Sequence, residues 1–418
     1  MSELREFAPK LAHPSGALPD SIQLRETICG AVERECTRCF SDRLKALVLG
    51  GSLARDEATI IRTEESWVVR GDAEFMLVFE KSTALPTAAA LDAVRRRIEN
   101  DLSQRKIKCK IDLNAVHPTY SQHLPAHIST YELKHCGRVL VGDHAILQPI
   151  PDYSADELSR EDAWRLLCNR LIEVLEYTDE FSGEPGRSSP ELRYRIVKLY
   201  LDMATSLLVF VGGYAPSYRE RRVAMSRLAA RERNAEAFPF ELGELADLVA
   251  TCTAEKLLPQ GNDERRDDLS LRSAMQTAHA LWRWQLTQLV GTRSARDDRD
   301  LFGQWMRVQP SWKRIRGWLY IVRACGWQRS YRYWPRWWGL RKGSPRDWTY
   351  LVASQLLFQA TEDVNSFQTD RGDTNWASLS RCLPVAKITA NQLASPSWKD
   401  VAHDVVWNYQ EFVMWTRA

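Results

Sequence analysis

Three acidic positions in this 418-residue chain have the spacing of a reactive centre. Residues 70–79 read RGDAEFMLVF, so Asp72 and Glu74 stand two apart at the head of an apolar run. Strand side chains alternate faces, which sends positions i and i+2 to the same side, about 6.5–7 Å apart at the backbone. Two carboxylates on one face repel each other and lose solvation unless something compensates. A divalent cation does so, and hard ions such as Mg²⁺ take carboxylate oxygens together with those of a bound phosphate. Two such ions, Mg²⁺ or alternatively Mn²⁺, stabilise the attacking and leaving oxygens of phosphoryl or nucleotidyl transfer. That chemistry usually needs a third acid, and Asp112 lies inside IKCKIDLNAV (107–116), an alternating run suited to a neighbouring strand. It also needs a seat for a polyphosphate. Gly50, Gly51 and Ser52 follow the apolar run KALVL, where glycine lets the backbone approach phosphate and a helix start offers N–H groups. Arg55, one turn on, is placed to face the same charge.

The elements that must position these residues follow from the periodicity. A helix is expected over 20–43 with Asp20 as N-cap, then a strand over 45–51, and a first helical turn in SLARDEAT. A polar connection over 60–70, a strand over 73–79, a helix over 86–106 and a strand over 107–116 complete an α/β domain ending near 150 at QPIPDYSAD. Beyond 155 almost every segment has apolar positions at three-to-four spacing, broken at 182–190, 212–217 and 259–268.

Taken together, these motifs resemble the nucleotidyltransferase superfamily with the DNA polymerase β-like fold. Its pattern is an apolar strand, a G-G or G-S turn, a short helix, D-x-[DE] on the next strand and a further acid on a later one. Gly51-Ser52, Asp72-x-Glu74 and Asp112 match in order and context. The D-x-E form looks like that of some antibiotic-modifying members, and SLARDE is similar to the G-S-x-x-R-x-E run of many bacterial ones. ISTYELKHCGRVLVGD, LLCNRLIEVLEY and YRIVKLYLDMATSLLVFVGGYAPSYRER look like members with an appended helical domain that closes over the nucleotide. The resemblance spans roughly 25–230. It implies that Asp72, Glu74 and Asp112 hold two ions, that Asp112 serves or orients the base, and that Gly51 and Ser52 hold the β and γ phosphates. Lys198 would face the triphosphate; the bland alternative is an i,i+4 ion pair with Asp202. One departure stands out: nineteen residues separate Ser52 from Asp72, more than the family usually has. The excess fits a hairpin or a lengthened loop.

Composition sets bounds. A formal charge of +3, with 44% hydrophobic and 27% charged residues, is that of an ordinary globular protein and implies no whole-molecule attraction to nucleic acid. Length favours more than one domain. No signal peptide is expected, since MSELREFAPKLAHPSG has acids early and no apolar core, and the longest apolar stretch, 203–215, is too short to span a bilayer. Nine scattered cysteines fit reduced thiols, so a cytoplasmic location is expected. Cys36 and Cys39 read as helix positions rather than half a zinc site. His123 and His127 would share one helix face, with no acid or cysteine to complete a metal site. Tyr214 and Tyr218 read as packed tyrosines in a structured turn.

Residues 301–346 depart from the rest: 11 Lys or Arg, no Asp or Glu, and eight of the 16 tryptophans between 305 and 348. Aromatics and arginines in this mix bind single-stranded nucleic acid, dock on an anionic membrane surface, or fill the core of terminal helices with arginine stems packed along them.

The expectation is therefore an α+β chain: a nucleotidyltransferase domain over 1–152 with a mixed sheet and flanking helices, a helical bundle over 153–298, and a helical Arg/Trp-rich region over 299–418. The expected activity is Mg²⁺-dependent transfer of a nucleoside monophosphate from an NTP, ATP first, to an acceptor hydroxyl on a small molecule or protein, releasing pyrophosphate. Alternatives are addition to RNA or tRNA ends or oligonucleotide synthesis, with RNA or an anionic surface met through 301–346, and a non-catalytic nucleotide-binding or partner-binding module.

Overall fold

The computed structural model describes residues 19–177, 189–231, 238–258, 269–291, 294–362, 376–385 and 396–413. The break expected at 259–268, and all but the end of that at 182–190, lie outside them. The chain is α+β and divides into two compact units, Met1–Tyr153 with Lys256–Pro259, and Ser154–Glu255 with Gln260–Ala418.

The first unit is built on one five-stranded sheet. Its elements are α1 (Pro19–Phe40), β1 (Leu44–Leu49), α2 (Gly51–Ala54), β2 (Thr59–Arg62), β3 (Trp67–Phe79), α3 (Ala88–Gln104), β4 (Ile107–Val116), α4 (Pro118–Gln122), α5 (Ile128–Cys136) and β5 (Arg138–Gly142). β1 pairs antiparallel with β3 on one side and with β5 on the other. β4 runs parallel to β3 along its other edge, which makes the sheet mixed. Two details differ from the sequence expectation. Helix α1 starts at Pro19, which puts Asp20 inside the first turn rather than ahead of it; proline suits that first position. The stretch 60–70 is no polar connection: Thr59–Arg62 pairs antiparallel with Trp67–Arg70, so the long insert is a hairpin and β3 begins six residues before Ala73. The charges of its turn hide the β-branched and aromatic runs TII and WVV on either side.

Alternation along the strands gives the sheet two unlike faces. Ala73, Phe75, Leu77 and Phe79 join Leu47, Leu49, Ile111 and Leu113 in the main core, where Ile28, Val32 and Cys36 of α1 and Val94, Ile98 and Leu102 of α3 cover them. The opposite face carries a small cluster, Ala46, Val48, Val78 and Ile146, and is otherwise open toward the start of β3.

The second unit is helical: α6 (Arg160–Leu175), α7 (Pro190–Phe210), α8 (Tyr218–Arg231), α9 (Leu242–Leu257), α10 (Leu271–Val290), α11 (Asp298–Val308), α12 (Ser311–Cys325), α13 (Trp327–Leu340), α14 (Pro345–Glu362), α15 (Trp376–Cys382) and α16 (Trp398–Asn408). Serine side chains at 159, 189, 270 and 397 accept from backbone N–H groups three residues on and cap α6, α7, α10 and α16. Trp164, Trp282, Phe302 and Trp305 interlock at its centre, with ring centroids 4.6 Å apart for Trp164 and Trp305. No described helix is long and apolar enough to cross a membrane.

Candidate functional site

On the open face of the sheet the three acids stand on one side, in register. Glu74 on β3 and Asp112 on β4 are direct parallel partners, and Asp72 lies opposite Lys110. Their neighbours Ala73, Phe75, Ile111 and Leu113 point into the core, so Asp72, Glu74 and Asp112 project to the same, outer side. The hairpin insert extends β3 backward and leaves this placement undisturbed.

The glycine turn closes directly on the acids. Gly50 N donates to the Glu74 carbonyl oxygen at 2.9 Å. Gly51 sits in the left-handed region at φ 64°, and a Cβ there would stand 2.9 Å from both Cδ and Oε1 of Glu74. Only glycine allows this carboxylate to lie against the turn. Ser52 follows at the start of α2, whose carbonyl accepts from Glu57 N at 2.9 Å.

SLARDE then fastens the turn to the surrounding elements. The Arg55 guanidinium is almost wholly buried; its Nη1 donates to Glu132 of α5 at 2.5 Å, and its Nε lies 3.6 Å from the buried Glu57. Asp56, held at φ 57°, accepts from Arg25 of α1 and from Arg138 of β5, the latter at 2.6 Å. Arg55 therefore balances charge beside the site while locked between two carboxylates. Glu132, Arg138 and Arg25 had no signal of their own in the sequence, because their partners lie far along the chain.

Electrostatics mark the site as carboxylate-rich. Crowding by protein atoms, then Glu132 and Asp112, push the Glu74 carboxyl above the usual range, while Arg55 pulls the other way. Asp72 is met by Lys110 Nζ at 3.3 Å, and Asp112 accepts from Asn114 Nδ2 at 3.1 Å. Among the described residues no three His, Cys, Asp or Glu side chains converge closely enough to hold an ion in this arrangement. The donor set nonetheless fits Mg²⁺: hard oxygens from three carboxylates on one face, a repulsion that a cation relieves, and a glycine turn that admits no Cβ.

Other candidates resolve separately. In the helical unit, Asp202 pairs with Arg170 at 2.6 Å rather than with Lys198, the bland alternative for that lysine. Lys198 has its Nζ 5.9 Å from the Tyr194 ring centre, and burial followed by the Arg170 charge lower its pKa. Tyr214 and Tyr218 are buried beside Arg221, whose guanidinium carbon is 5.3 and 4.4 Å from their ring centres. His123 ends α4 and His127 begins α5, so the two do not share a helix face. Cys36 and Cys39 lie within α1, and all nine cysteines are free thiols.

Compared with known proteins, the chain matches no family model and no curated sequence.

Proposed function

We propose that the first unit is a polymerase β-like nucleotidyltransferase that moves a nucleoside monophosphate from an NTP, ATP first, to an acceptor hydroxyl of a small molecule or protein. The observation that carries this reading is the convergence of Glu74 and Asp112, paired across adjacent strands, with a left-handed glycine turn closed onto the Glu74 carboxylate. Asp72, Glu74 and Asp112 would hold Mg²⁺, which supplies charge neutralisation at the phosphates and at the attacking and leaving oxygens. Gly51 and Ser52 bind the β and γ phosphates through backbone N–H groups and the serine hydroxyl, orienting pyrophosphate to leave. The acceptor oxygen bonds to the α-phosphorus as the bond from that phosphorus to the β-bridging oxygen breaks. Asp112 receives, or orients the group that receives, the acceptor's proton. Arg55 offsets negative charge from its buried position.

The test is incubation with each α-labelled NTP, Mg²⁺ and cell extract, followed by fractionation of labelled product and assay of pyrophosphate. Asp72→Asn and Asp112→Asn are expected to abolish metal-dependent release; release at the wild-type rate in either variant sinks the proposal. The Lys110 ammonium beside Asp72 favours a second reading, a nucleotide-binding module without turnover, in which that cation permanently stands where an ion would. Tight binding of Mg²⁺ and NTP with no pyrophosphate release in any acceptor mixture selects it.

A further inference from the structure

Of the eight tryptophans between 305 and 348, two are buried and four are exposed. Trp305 and Trp337 are buried, and Trp337 packs with Trp318, Tyr333, Ile321 and Phe412 on the shared inner side of α12 and α13. The outer side is different. Trp312, Ile315 and Leu319 recur at i, i+3 and i+7 on α12, all more than half exposed. On α13, Trp327, Tyr331, Trp334 and Trp338 recur at i, i+4, i+7 and i+11, with Trp327 80% and Tyr331 84% exposed. Each helix thus has two apolar sides, one serving the fold and one facing water. Exposed aromatics on this scale mark an interaction surface rather than scattered surface residues.

Charge decides what kind. Residues 301–346 hold 11 cations and no acid. Arg323 and Arg332 lie exposed on the same two helices, Arg316 stands 5.5 Å from the Tyr320 ring centre, and Arg341 stands 4.8 Å from that of Trp338. A stripe of tryptophan, tyrosine and aliphatic side chains edged by arginine suits the boundary between lipid headgroups and acyl chains, where aromatic rings sit and cations meet anionic headgroups. Ile315 and Leu319 weigh against a nucleic-acid platform, because aliphatic side chains give bases no face to stack on. Neither helix is long and apolar enough to cross a bilayer, so the pair would lie in the surface.

We propose that the outer face of α12 and α13 docks the protein peripherally on an anionic lipid bilayer. This stands independently of the nucleotidyl-transfer reading. The full-length chain is sedimented with vesicles of mixed phosphatidylglycerol and phosphatidylcholine, and with phosphatidylcholine alone. Binding is expected to the anionic vesicles and to weaken as salt rises. Leu319→Ser with Trp327→Ser and Trp334→Ser, and separately Arg323→Gln with Arg332→Gln, should each lower the apparent partition coefficient by about tenfold or more. All five side chains are exposed, so far-UV circular dichroism should be unchanged. In the wild type, acyl-chain-brominated lipid should quench tryptophan fluorescence, and the triple serine variant should lose most of that quenching. No sedimentation with anionic vesicles overturns the proposal, as does sedimentation that the serine variant leaves unaltered. So does stripe-dependent binding to single-stranded oligouridine, or stripe-dependent dimer formation, without vesicle binding.

Discussion

Glu74 concentrates the chemical tension of the site in one side chain. Its carboxylate lies against the glycine turn, among the acids Glu132, Asp112 and Asp72, and its pKa is raised. A raised folded-state pKa means that protonation is favoured in the fold. The stability Glu74 contributes is complete below the ordinary carboxylate value and lost as pH rises through the folded value. At neutral pH and without metal, the ionised group therefore costs stability. Glu74→Gln is expected to melt about a degree or two higher than wild type at pH 7, with the gap narrowing on acidification. Mg²⁺ should raise the wild-type melting temperature and leave that of the variant nearly unmoved. A variant that melts lower than wild type at pH 7 without metal would contradict this account. The Gly50 N–H bond to Glu74 is to the backbone carbonyl and survives the substitution, which keeps the comparison clean. Gly51→Ala should act oppositely: the left-handed φ and the 2.9 Å approach to Glu74 Cδ together cost about 2 kcal/mol, read from a urea midpoint. At this scale the sequence was informative. Two-residue periodicity placed Asp72, Glu74 and Asp112 on one face, and the glycine pair stood out as a turn. That the turn touches Glu74 was invisible, because it depends on how β1 pairs with β3.

At the scale of elements, the short helix α2 cannot hold its own position. Four residues make too few internal hydrogen bonds to be stable. Its place is set by the ions of SLARDE, Arg55 to Glu132 on α5 and Asp56 to Arg25 on α1 and Arg138 on β5. The partners lie 77, 31 and 82 residues away in sequence, so no local pattern announces them. Glu132→Ala removes the closest carboxylate from a nearly buried guanidinium. A loss of about 2–3 kcal/mol is expected, toward the lower end for a broken buried pair because Glu132 keeps some exposure. Chemical denaturation measures it, and a loss under about 0.5 kcal/mol would class the pair with screened surface ions. The hairpin from Thr59 to Arg70 teaches the complementary lesson. A strand pairing across a charged four-residue turn looks polar on average, although each arm has the β-branched and aromatic residues of a strand. Strand β4, with clean alternation and no interruption, was legible from end to end.

For the whole molecule, that each of the two units buries a core of its own matters more than the count of helices. The sheet unit's main core draws all its buried members from positions between Leu24 and Leu113. The helical unit has its own aromatic centre around Trp164, Trp282, Phe302 and Trp305. The sequence changes from alternating to helical periodicity near residue 150, and period decides which kind of surface a segment can bury. The destination of each tryptophan in 305–348 was not readable, because helical spacing puts Trp334 and Trp337 on different sides only once the neighbours of α13 are known. Separate cores lead to a thermodynamic expectation. Chains with more than one core need not unfold in a single all-or-none step, and a ligand shifts the transition of the part that binds it. Calorimetry of the full chain should give two transitions, of which Mg²⁺ raises only the one belonging to the sheet unit. Asp72→Asn combined with Asp112→Asn should erase that shift while leaving the other transition in place. The exposed-stripe substitutions on α12 and α13 should move neither, because those side chains support no core. A single transition that Mg²⁺ moves as a whole would mean that the two cores unfold together, and would refute their independence.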